Sequence, residues 1–334
     1  MTAVVDDRDR MDAGALLEVS GGRRGDALFK GLALLAGLVV LLVLGLIALS
    51  TTKEAWPAFR SEGFGFITST EWVPAEGKYG ALAFIYGTVL SSLLALVLSV
   101  PVSLGIALYA NEAAPRRLRR PLVYLMDLLA AIPSVVYGLW GILVLAPAIQ
   151  PVYEGINGAV GDVPVLGWFF SGQSGRSYMT AGLILAVMIT PIITSLSREV
   201  IATVPNAQRE AAFGMGATRW EMIRSAVLPW SRGGITGAVM LGLGRAMGET
   251  IAVALVIGSQ AQITTHLFEA GDSMAAVIVN QFGESSGNHR AALIGLGVVL
   301  FVVTILVNVS ARSIVARFDR ISPVSYTHLR AHET

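Results

Sequence analysis

Apolar residues in this chain gather into long runs separated by short polar stretches. Residues 28–50 are almost wholly apolar, enough for a helix of ~20 residues to cross a bilayer. Five further runs follow, at 79–110, 121–149, 178–196, 233–258 and 290–311. The pattern predicts an all-α polytopic membrane protein with six transmembrane helices. The polar stretches then become an N-terminal tail (1–27) and loops at 51–79, 150–177 and 259–289. Pro101 and Pro191 lie inside runs, Pro133 breaks the third and Pro147 ends it. Prolines in membrane helices act as hinges or simply set shape, and the pattern leaves both open. Trp56 and Trp72 fall in a loop, and Trp140, Trp168 and Trp230 are expected as interface anchors. The first run starts late and is long, so it is expected to be a retained span and not a signal peptide.

Composition agrees with this class. The 334 residues are 54% hydrophobic and 14% charged, with mean hydropathy +0.66, whereas a soluble domain carries roughly 25% charged residues. The net charge of +1 says little, because orientation follows where Lys and Arg sit. They concentrate near the N-terminus, at 116–120, around 198–232 and near the C-terminal end. The three opposite loops with their edges hold only Lys53, Arg60, Lys78, Arg176 and Arg290. Both termini and the polar segment 204–229 are therefore expected in the cytoplasm.

Several chemistries are excluded. Cysteine is absent, which removes disulfides, thiolate nucleophiles and cysteine-held metals. The only lysines are Lys30, Lys53 and Lys78, and none stands in a phosphate-cradling glycine loop. His-Glu-x-x-His does not occur, and Gly283-Glu-Ser-Ser-Gly287 is a bare Gly-x-Ser-x-Gly spacing in a polar loop with no strand expected before it, so a membrane protease or esterase has no support. His266 and His289 stand isolated in an expected outer loop and are read as solvated.

The segment 204–229 is polar, basic and punctuated. Pro205 suits a first helical turn, where its missing N–H is no loss. A short helix should run to Phe213, and Gly214 and Gly216 should break it. Thr218 and Glu221 have capping-box spacing, so a second helix should start there and end at Pro229. Two short helices joined by a glycine elbow form a docking shape, with no nucleophile and base between them.

Glu210-Ala211-Ala212, Gly216 and Leu228-Pro229 resemble the EAA loop of bacterial ABC importer permeases. The resemblance implies a coupling element that fits a groove on a separate ATPase, with Arg209 beside the motif. One position departs: Ala226 stands where that family usually has Ile. Met222 and Ile223 are expected to supply apolar contact nearby.

The fifth run contains Leu243-Gly-Arg-Ala-Met-Gly-Glu-Thr-Ile-Ala-Val253. On a continuous helix Arg245 and Glu249 share a face, four residues apart. A charge at mid-bilayer costs about 2.5–3.5 kcal/mol on insertion scales. Arg245 must therefore face protein or a wet path. A purely structural ion pair is one possibility, although desolvation offsets much of its attraction. Anion handling is the other: the guanidinium is a planar fork of donors that matches tetrahedral oxyanions. Glu249 would neutralise Arg245 in the unloaded state and accept a hydrogen bond from a protonated oxyanion. Phosphate near neutral pH carries that proton and sulfate does not, and a site built around a hydrogen bond discriminates strongly. Gly244 and Gly248, with Gly237 and Gly242, make a small-residue face for close packing, within this subunit or against a partner permease.

Arg-Ala-Met-Gly-Glu-Thr at 245–250 and Ala-Ala-Ile-Pro-Ser-Val-Val-Tyr-Gly-Leu-Trp-Gly at 130–141 are similar to the PstC-type permeases of phosphate-specific ABC importers. The likeness covers roughly residues 25–320. It implies the type I ABC importer permease fold, with a transmembrane domain over 80–320, and a phosphate path through Arg245, Glu249 and Thr250. It also implies a PstA-like second permease, two PstB-like ATPase subunits holding ATP and Mg, a PstS-like phosphate-binding protein, and no cofactor in this chain. Permeases for molybdate, sulfate or phosphonate, and a self-contained secondary transporter, remain alternatives. Residues 324–334 look like a translated sequencing adapter, so His328, Arg330, His332 and Glu333 are set aside as a metal site.

Overall fold

The structure is a computed structural model that describes residues 23–161, 163 and 166–319. Most of the expected tail 1–27 and the segment 324–334 lie outside the described residues. The chain divides into two units, Met1–Lys53 and Glu54–Thr334.

Helix α1 (Arg23–Glu62) contains the first apolar run and continues past Pro57. The expected loop at 51–79 is therefore half helix. It closes with α2 (Gly65–Thr68) and a two-strand hairpin, β1 (Trp72–Val73) and β2 (Lys78–Tyr79), in antiparallel register Trp72↔Tyr79. Gly77 turns the hairpin at φ +71°.

Helix α3 (Leu82–Leu108) carries a small residue at every fourth position: Ala83, Gly87, Ser91, Ala95, Ser99, Ser103 and Ala107, all buried. Such a stripe lets two helix backbones approach closely. The partner is α8 (Tyr178–Ala202). At Gly87 an added Cβ would lie 1.9 Å from the Asp272 carbonyl oxygen, so that position must lack a side chain. The core between α3 and α8 holds Ile184, Leu185, Ile189 and Ile193, with Tyr137, Val253 and Val256 from neighbouring elements.

The third run departs from expectation. A basic amphipathic helix, α4 (Arg116–Ala131), comes first and breaks at Pro133. Helix α5 (Ser134–Trp140), a π turn and α6 (Ala146–Val160) then form one continuous rod, so the span starts at Ser134 and not at Pro121. The apolar count had run across the proline. Pro147 sits at the start of α6, directly after the π turn, and does not end the span. Short α7 (Leu166–Phe169) precedes α8.

After α8 come α9 (Asn206–Gly214) and α10 (Arg219–Met222). The fifth run is not one helix. It divides into α11 (Leu228–Met247) and α12 (Ile251–Val256), with Gly248, Glu249 and Thr250 between them. Helix α13 (Met274–Gln281) lies in the expected third loop, and α14 (Gly287–Asp319) ends the described chain.

Five helices among the described residues are long and apolar enough to cross a membrane: Leu28–Glu62, Leu82–Ala113, Ser134–Val160, Tyr178–Ala202 and Gly287–Ser313. The expected span at 233–258 is missing from that set because of its break. The two histidines are half-exposed, and each has a hydrogen-bond partner. His289 stacks on Tyr79 with its Nε2 3.1 Å from Gln281, and His266 Nδ1 lies 2.6 Å from the Trp168 carbonyl.

Candidate functional site

The elbow forms much as its residues dictate. Pro205, extended at φ −60° and ψ 137°, stands at the N-cap position, one residue before the first turn of α9 where it was expected. Gly216 takes φ +83°, a left-handed turn that only glycine adopts freely. The α9 helix runs through Gly214, so Gly216 alone makes the break. The Thr218 hydroxyl accepts from the Glu221 N–H, and the Glu221 carboxylate accepts from the Thr218 N–H at 2.7 Å. Those bonds from Thr218 hold the Glu221 carboxyl below its ordinary range.

Pro229 does not end the second helix. A five-residue π turn, Ile223–Val227, links α10 directly into α11, with Pro229 in the first turn of α11. The second arm of the elbow is thus one rod with the helix that reaches Arg245.

Burial sorts the motif residues. Ala212 is buried with Val204, Met222, Ile223 and Val227 in the elbow's own core. Leu228 packs against it. Glu210, Ala211, Gly216 and Pro229 are exposed. Met222 and Ile223 face inward, so they cannot replace the Ile missing at Ala226. The exposed apolar side chains are Phe213, Met215 and Trp220.

Arg209 is held inside the elbow. Its guanidinium donates to Glu112 at 2.8 Å, to the Ile201 carbonyl at 3.1 Å and to the Val204 carbonyl at 2.5 Å. Glu112 lies in the π turn that ends α3, and its side chain is 7% exposed. One cation thereby joins the ends of α3 and α8 to α9. Sequence reasoning missed Glu112; its only signal is an acid at the boundary of an apolar run.

Arg245 and Glu249 lie at the break between α11 and α12. Arg245 is in the last turn of α11, where a cation meets the negative end of the helix. Glu249 precedes α12, and its Oε1 accepts from the Ala252 N–H at 3.3 Å, so it caps the positive end. No ion pair within 4.0 Å joins the two among the described residues, whose ion pairs are Lys78 with Glu71 and Glu76, Arg198 with Glu199, and Arg209 with Glu112. The expected neutralising pair is replaced by two helix poles, which leaves both charges free. The Thr250 hydroxyl donates to the Gly248 carbonyl at 3.3 Å.

Both charges open on a cleft of about 870 Å³ between α11 and α14, with Gly237, Gly244, Asn308 and Arg312 also on its walls. A Cβ at Gly237 or Gly244 would meet nothing within 4 Å. Packing within the subunit uses Gly234 and Gly242 instead, whose added Cβ atoms would strike Val200 and Ile193. Among the described residues no cluster of His, Asp or Glu could hold a metal ion.

Residues 99–320 match the family model described as a binding-protein-dependent transport system inner membrane component. The chain is 44% identical over 307 residues to the phosphate transport system permease protein PstC of Xylella fastidiosa (strain 9a5c), covering 90% of this chain and 95% of that protein. It is 43% identical over 310 residues to PstC 2 of Mycobacterium tuberculosis, covering 89% and 94%. Among solved structures, the fold resembles a chain of a bacterial ABC transporter for alginate, with TM-score 0.58 and 19% identity over 89% of this chain and 98% of that one. A chain of the MetNI methionine ABC transporter gives TM-score 0.52 at 16% identity, over 70% and 94%. These matches make the protein a multi-pass membrane transport component and not an enzyme; the chain belongs to the binding-protein-dependent inner membrane permeases of ABC transporters, and among them to the PstC type.

Proposed function

We propose that the chain is one half of the translocation path of an ATP-driven phosphate importer. A PstS-like protein delivers phosphate from outside, and a PstA-like permease supplies the other half of the path. Two PstB-like subunits bind ATP and Mg and push on the segment 204–229 from the cytoplasm, where both termini also lie. Closure of the ATPase moves α9, and the continuous rod from α10 through α11 carries that motion to Arg245. The guanidinium fork there holds the oxyanion, and Glu249, with one oxygen on the Ala252 N–H, has the other free to accept the proton of phosphate. Thr250 lies beside it.

The observation that carries this proposal is the placing of Arg245 and Glu249, unpaired with each other, on one cleft at the far end of the rod that begins at the elbow. The test is uptake of radiolabelled phosphate by membranes containing the whole complex. Arg245→Lys is expected to lower uptake at least tenfold while an ATPase chain still co-purifies. Full uptake by Arg245→Ala would end the proposal. Unlabelled phosphate should compete, and stronger competition by molybdate, sulfate or a phosphonate would change the substrate.

A further inference from the structure

Arg312 lies on α14 four residues beyond Asn308, and both side chains line the cleft that holds Arg245. Ile305, Asn308, Val309 and Arg312 recur at three- and four-residue steps, so one face of α14 is turned to the cleft. No carboxylate lies within 4.0 Å of Arg312 among the described residues.

Charge bookkeeping gives Arg312 a task. The ionisable side chains on the cleft are Arg245, Glu249 and Arg312. Arg245 and Glu249 cancel, so without Arg312 the cleft would be neutral overall and draw no anion inward. Arg312 makes it positive, which raises the local concentration of an anion.

Position gives it a direction. At ~1.5 Å per helical residue, Arg245 lies about 25 Å along the rod from Leu228, and Arg312 about 37 Å along α14 from Gly287. The latter exceeds the ~30 Å hydrocarbon thickness. If successive spans alternate in direction, α14 starts opposite the elbow, and Arg312 comes to the elbow side of the membrane.

We propose that Arg312, with Asn308 beside it, is a second oxyanion-holding station at the cytoplasmic mouth of the cleft. It receives the tetrahedral anion from Arg245 before release. This rests on Arg245 handling the anion, as proposed above. Two weak stations in series suit passage better than one tight site, because an ion must leave as readily as it enters. The Arg312 side chain is exposed on the wall of the cleft, so its guanidinium is open to an anion there.

The test uses the complete importer in proteoliposomes, with inorganic phosphate as the probe. Initial uptake is measured with the cytoplasmic side empty and again with it loaded with phosphate. In the wild type, loading should slow uptake by filling the Arg312 station. Arg312→Gln should lower uptake at least tenfold and abolish the effect of loading. If that variant does not assemble, Arg312→Lys carries the test, because it keeps the charge and loses the fork. A loss of at least twofold with weakened inhibition by loading supports the station. Wild-type uptake and inhibition in the variant that assembles would overturn it and leave Arg312 a topological anchor. Normal uptake by Arg245→Ala in the same assay sinks the underlying assignment, and the second station with it.

Discussion

Asp272 is a buried carboxylate with no cation within 4.0 Å among the described residues. It is 5% exposed and lies in the segment joining α12 to α13, with its Oδ1 accepting from the Ser273 N–H at 2.8 Å. Burial pushes the carboxyl up to about 7, against the counter-pull of that hydrogen bond. A raised carboxyl favours the protonated fold, so its stabilising effect is complete below the unfolded value near pH 4 and is lost as pH rises through about 7. The full penalty at alkaline pH is on the order of 4 kcal/mol. The solubilised protein should therefore melt several degrees lower at pH 8.5 than at pH 5. Asp272→Asn should flatten that dependence, and an unchanged pH slope in the variant would assign the effect elsewhere. Two glycines two residues apart on α11, and so on different faces of it, offer a second residue-level contrast. Gly242→Ala places a Cβ 2.7 Å from Ile193 Cδ1, and overpacking of that kind costs about 1–3 kcal/mol. Gly244→Ala meets open space, so its melting temperature should match the wild type while phosphate uptake falls. Equal melting of both variants would contradict the packing described.

The elements of the elbow are coupled through one ion pair, Glu112 with Arg209. Removing one partner of a buried pair costs about 3–5 kcal/mol, because the other charge stays buried and uncompensated. Glu112→Gln and Arg209→Gln should each loosen α9 from the ends of α3 and α8, and lower phosphate imported per ATP hydrolysed. Because each single change strands a charge, the double variant should lose much less than the two losses added together. Additive losses would mean that the pair does not act as a unit. Much of this region was legible beforehand. Pro205, Gly216 and the Thr218 and Glu221 spacing are local rules, and each acts where its residue stands. What could not be read was set at a distance or by register. Pro229 looked like a stop, but the π turn before it shifts the hydrogen-bond ladder and places the proline in a first turn. The break at Gly248 has no proline to announce it, and it separates Arg245 and Glu249, whose spacing implied one helical face. Glu112 and Arg209 meet across 97 positions, which no local pattern encodes. The apolar runs located most of the spans, yet blurred the third by counting across Pro133.

At the scale of the molecule everything depends on which side of the membrane holds the elbow. The proposed ATPase acts only in the cytoplasm, and Lys and Arg placement predicts the elbow there. The chain has no cysteine, so a single introduced thiol is this chain's sole target for a maleimide. Met215 is 84% exposed at the tip of the elbow, and Ser286 is exposed just before α14. With the elbow inside, a membrane-impermeant maleimide should label Met215→Cys only in inside-out vesicles and Ser286→Cys only in right-side-out ones. Bound ATPase should then shield the Met215 position, because Phe213, Met215 and Trp220 form the apolar exposed surface of the elbow. Labelling of Met215→Cys in intact cells would place the elbow outside. No cytoplasmic ATPase could then drive α11, and the cleft at its end would need a different source of work.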